Sequence, residues 1–60
     1  MNEKLFRTIL KRYEATIEDA RYKIDIICEQ NLVIPEHIDI TGEIDKLLQI
    51  IAEAEDKLSV

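Results

Sequence analysis

Leu10-Lys11-Arg12-Tyr13-Glu14-Ala15-Thr16-Ile17-Glu18-Asp19-Ala20-Arg21-Tyr22-Lys23-Ile24 is the stretch on which the fold turns. Its apolar residues recur in steps of three and four: Leu10, Tyr13, Ile17, Ala20, Ile24. Phe6 continues the series upstream and Ile27 downstream. Side chains spaced this way line one face of an α-helix. In heptad terms Leu10, Ile17 and Ile24 are a positions, and Phe6, Tyr13, Ala20 and Ile27 are d positions, a seam made to pack on another helix. Glu3, Arg7, Lys11, Glu14, Glu18 and Asp25 fall off the seam and form a solvated face.

Outward from this stretch, neither Gly nor Pro occurs before Pro35. The spacing predicts one helix over about residues 3–31, capped by Asn2 and ending near Asn31, which tolerates the left-handed C-cap conformation. Ile9, Ile26 and Cys28 widen the stripe, so the helix is expected to touch more than one neighbour. Cys28, set beside Ile26 and Ile27, reads as a buried small hydrophobe. Tyr13 lies on the seam and Tyr22 off it, which makes Tyr22 a candidate partner contact.

Residues 32–40 read as a turn or loop. Ile34 precedes Pro35 and is pushed out of helical geometry. Two starts for a second helix are open. Pro35 can occupy its first position, with Glu36 in the first turn. Alternatively, Thr41 caps a helix that begins at Gly42. In either case Ile44, Leu47, Ile51, Ala54 and Leu58 repeat the helical spacing, with Leu48 beside that stripe, to about residue 58. The short connection makes the two helices antiparallel. The whole chain, residues 1–60, is then one all-α domain, a two-helix hairpin.

A 60-residue chain has a marginal core. Below about 70–80 residues, one core rarely supplies more than about 3–5 kcal/mol without a staple. Cys28 is the single cysteine, so no intrachain disulfide forms. His37 is the single histidine, and no metal site or cofactor is expected. The staple left is association, so a homodimer completing a bundle-like core is the expectation.

The net charge of −5 is unevenly spread. Residues 1–23 carry +2 and residues 24–60 carry −7, counting Lys and Arg against Asp and Glu. An acidic chain is a poor ligand for nucleic acid, whose binding is driven by phosphate neutralisation. No run approaches ~18 apolar residues and no targeting signal is visible, so a cytoplasmic protein without a membrane partner is expected.

The chemical inventory is short: no Gly-rich phosphate loop, no metal-ligand cluster, no nucleophile–histidine pair. What stands out is Thr41-Gly42-Glu43-Ile44-Asp45-Lys46-Leu47-Leu48. A hydroxyl and a carboxylate four residues apart share one helix face beside an apolar stripe. Residue chemistry alone reads Thr41 as a cap and Asp45 as an acid favoured by the helix dipole.

This stretch resembles the hallmark of the stage-zero sporulation aspartyl-phosphate phosphatases, short two-helix proteins of bacterial phosphorelays. Their motif is Ser-Gln-Glu-Leu-Asp, followed by a basic or polar residue and two apolar ones. Here Thr41 keeps the hydroxyl, Glu43 and Asp45 the acids, and Ile44 the apolar position; Gly42 stands where the family has Gln. The likeness spans roughly residues 17–50. It implies removal of phosphate from a phospho-aspartate on a response regulator, with Asp45 and Thr41 as catalytic residues and Glu43 and Tyr22 as binding residues. An acyl phosphate is already reactive, so positioning a water is most of the task. A non-catalytic module, binding or inhibiting a partner protein through its apolar helix face, is the alternative.

Overall fold

The computed structural model describes residues 2–29 and 39–60. They form two helices, α1 (Glu3–Glu29) and α2 (Ile40–Leu58), packed along each other as the expected all-α hairpin. Lys57, near the end of α2, lies over the ring of Tyr13 in the first half of α1, with Nζ 5.2 Å from the ring centroid. That contact marks the register of the antiparallel pair.

α1 begins as its sequence predicts. Asn2 Oδ1 accepts a hydrogen bond from Leu5 N at 2.8 Å, which satisfies one of the free first-turn amides. Thr8 and Thr16 are indifferent helix formers placed inside α1. Each donates its hydroxyl to the carbonyl four residues back, on Lys4 at 2.9 Å and on Arg12 at 3.0 Å. The expected end of the helix near Asn31, the extended Ile34, and His37 lie outside the described residues.

α2 starts at Ile40, close to the later of the two expected starts, but its cap is Asp39 and not Thr41. Pro35, the other expected start, lies outside the described residues. Asp outranks Thr as an N-cap, which is the physical reason for the shift. At the other end Ser59 closes the helix: its N–H reaches the carbonyls of Glu55 and Asp56 at 3.1 and 3.2 Å, and its hydroxyl reaches Asp56 O at 2.7 Å.

The core sits where the two stripes meet. Ile17, Ala20 and Ala54 are buried, exposed by only 8, 1 and 4%. Two of these three are alanines, the smallest side chains on the two stripes. Leu10, Tyr13, Ile24 and Ile27 on α1, with Ile44, Leu47, Ile51 and Leu58 on α2, are half-buried around them. Cys28 is exposed, contrary to expectation. A single neighbouring helix covers one stripe; Ile24 and Ile27 occupy it, and Cys28 flanks it.

The helices differ in length. α1 has 27 residues and α2 has 19, about 40 and 28 Å at 1.5 Å per residue. With Tyr13 against Lys57, the excess falls at the start of α1. Phe6 belongs to the seam by spacing but is 46% exposed, and neighbouring Leu5 is 52% exposed, because α2 ends short of them. The radius of gyration is 14.8 Å, against roughly 10 Å for a compact chain of this size.

Candidate functional site

The start of α2 is organised by Asp39. Its Oδ1 accepts hydrogen bonds from Gly42 N at 3.0 Å and Thr41 Oγ1 at 3.1 Å. These hold its carboxyl below the ordinary value of 3.8, with the Gly42 amide the largest cause, the Thr41 hydroxyl next, and the charge of Lys46 adding a smaller part. Gly42 leaves room for the carboxylate where it stands. A Cβ there would overlap the Asp39 carboxylate, lying 2.8 Å from its Cγ. The residue standing where the resembled family has Gln is thus the residue that leaves room for the cap.

Thr41 and Asp45 are both exposed, one turn apart on the same side of α2. They do not bond each other, since the Thr41 hydroxyl hydrogen goes to Asp39. Among the described residues Asp45 makes no side-chain hydrogen bond or ion pair. Leu48 and Ala52 continue the line at steps of three and four, and both are exposed, Leu48 by 52%. Asp56 and Glu55 border it further along. This outer face of α2 flanks the buried seam, roughly 110° around the helix from it, and combines a hydroxyl, carboxylates and a half-exposed leucine.

The other two candidates lie elsewhere. Glu43 is two residues from both Thr41 and Asp45, about 200° around the helix from either, and its carboxylate faces Lys46 at 3.5 Å. Tyr22 is two residues from both Ala20 and Ile24, which places it on the side of α1 away from α2, 65% exposed. So Thr41 and Asp45 come together, while Glu43 and Tyr22 do not join them. Sequence reasoning missed Asp39 and Leu48. The rank order of capping residues would have found the first. Leu48 sits one position beyond the stripe, which is the signal for the second.

Among the described residues no group of His, Cys, Asp or Glu is placed to hold a metal ion. Nor is any helix there long and apolar enough to cross a membrane. No family model matches the chain, and no characterised protein or solved structure matches it either.

Proposed function

We propose that the protein is a small regulator whose working surface is the outer face of α2, applied to a response regulator carrying a phospho-aspartate. One observation carries this reading: Thr41, Asp45 and Leu48 lie exposed on one side of α2. The motif that resembles the sporulation phosphatases therefore falls on surface free to meet a partner. Leu48 is the apolar anchor of the docked face. Asp45 is the catalytic residue: it accepts a hydrogen bond from a water aligned with the phosphoryl group. Water oxygen bonds to phosphorus as the bond to the acyl oxygen breaks, leaving inorganic phosphate and the free aspartate. Thr41 is a positioning residue; its hydroxyl and Gly42 tie the first turn to Asp39 and so set where Asp45 stands one turn later.

The test is loss of label from a panel of phosphorylated response regulators mixed with the protein. Faster loss with the native chain, slowed on the order of a hundredfold by Asp45→Ala, supports the reading. Equal loss with and without the protein across the panel overturns the catalytic role.

A second reading is favoured by the hydrogen bond from Thr41 to Asp39. That bond already employs the hydroxyl in the helix start, as a purely structural motif would. The same face then binds a partner protein without chemistry. In that case Leu48→Glu abolishes binding, Asp45→Ala leaves it intact, and phosphate loss is unaltered by either.

A further inference from the structure

The side of α1 turned away from α2 carries a second stripe. Lys4, Lys11, Ala15 and Tyr22 are exposed and fall within about 40° of one another, roughly opposite buried Ile17 and Ala20. With Thr8, Glu18 and Asp25 beside them the steps alternate between four and three, the spacing of a face that meets another helix.

Charge divides along this stripe at Ala15. Lys4 and Lys11 lie before it, and Glu18 and Asp25 after it. Among the described residues Lys4, Lys11 and Asp25 enter no ion pair within the chain, and Glu18 reaches Arg21 only at 3.9 Å. Charges that would blur the division are set aside. Glu3 is tied to Arg7 and Lys23 to Asp19, both at 2.9 Å, while Glu14 and Arg21 each lie about 100° around from Ala15 and Tyr22. The two signs also sit at matching distances from Ala15: Lys11 four residues before it and Glu18 three after, Lys4 eleven before and Asp25 ten after.

Such a stripe is its own complement when reversed. We propose that two copies pair through it, α1 against α1 and antiparallel, with the two-fold axis beside Ala15. Lys11 then meets Glu18 of the second copy and Lys4 meets its Asp25, each contact made twice by symmetry. Thr8 faces Tyr22, and Ala15 meets its own copy on the axis, where a small side chain lets the helices approach closely. A parallel pairing would set lysine against lysine and acid against acid, so charge selects the direction. The axis falls near the middle of Glu3–Glu29, so the two helices cover each other almost end to end. Each α2 stays on the outside, and both flanks bearing Thr41, Asp45 and Leu48 are left uncovered. The pairing does not rest on the function proposed above.

The experiment is sedimentation equilibrium over a range of concentrations and salt, on the native chain, Lys11→Glu, Glu18→Lys and the double variant that swaps the two charges. Positions 11 and 18 are about 10 Å apart along one helix, too far to pair within a chain, so a swap that restores association reports contact between copies. Both side chains are exposed, and helical circular dichroism checks that every variant keeps the hairpin. The native chain is expected to dimerise, more weakly as salt screens the charges. Each single reversal is expected to raise the dissociation constant at least tenfold, the equivalent of about 1.4 kcal/mol, and the double variant to recover most of that loss. A dimer indifferent to the single reversals, or single losses that the swap does not recover, overturns the proposal. So does a native chain that stays monomeric throughout, whether or not its Tyr22 face binds a different protein. No response regulator is present in these measurements, so their failure is separate from failure of the phosphate assay.

Discussion

Asp39 holds the start of α2 through two hydrogen bonds, and Gly42 supplies both an amide and the space for its carboxylate. Because its carboxyl titrates below the ordinary 3.8, the cap contributes stability that is fully present above that value. The contribution is lost as pH falls through the lower folded value. Asp39→Asn keeps a capping oxygen but does not ionise. Acid unfolding followed by circular dichroism should therefore show a smaller loss of stability below pH 3.8 in the variant than in the native chain. Gly42→Ala tests the same contact from its other side. In the native background its Cβ displaces the Asp39 carboxylate, and the carboxyl returns toward its ordinary value in an NMR titration. In an Asp39→Ala background nothing obstructs the Cβ, and the same change stabilises the chain by roughly 0.5–1 kcal/mol, the usual advantage of alanine over glycine in a helix. Opposite behaviour in the two backgrounds is the expected signature of coupling.

At the scale of the elements, most of the hairpin is legible in the sequence. The alternating steps from Phe6 to Ile27 and from Ile44 to Leu58 mark both helices and their facing stripes. Asn2 caps α1 as its residue type implies. What the pattern does not carry is where one helix stops covering the other. Periodicity assigns Phe6 and Cys28 to the stripe or its margin, yet their burial depends on register and on the number of neighbours, which are tertiary quantities. The start of α2 is a different case: Pro35, Asp39 and Thr41 each offer valid local chemistry, and the capping rank, which places Asp above Thr, is the signal that selects Asp39 over Thr41. The site divides in the same way. A spacing of four places Thr41 and Asp45 together, whereas Glu43 and Tyr22 are separated from them by turns of the helix that adjacency in sequence conceals. These differences set distinct mutational costs. Ile17→Ala removes the largest of the three buried side chains and should cost about 2 kcal/mol or more, read by urea unfolding. Phe6→Ala, beyond the end of α2, should leave the melting of dilute protein nearly unchanged.

For the whole molecule, three buried side chains among the described residues and a 49 Å long, 15 Å wide body give little stability in isolation. If each copy pairs with another, the melting temperature rises with protein concentration, because association favours the folded state by mass action. Lys11→Glu should flatten that dependence, while a concentration-independent melt of the native chain would contradict it. The ion pairs add little: Arg7–Glu3, Lys23–Asp19, Arg21–Glu18 and Lys46–Glu43 all lie in solvent. What the elongated hairpin offers instead is one helix whose inner stripe packs and whose exposed flank is the proposed recognition surface. The most direct measurement of that claim is an amide chemical-shift map of the labelled protein titrated with a phosphorylated response regulator. The account predicts perturbations concentrated at Thr41, Asp45, Leu48 and Ala52 with the Tyr22 side of α1 unmoved; perturbations centred on Tyr22, or none at any regulator in the panel, would contradict it.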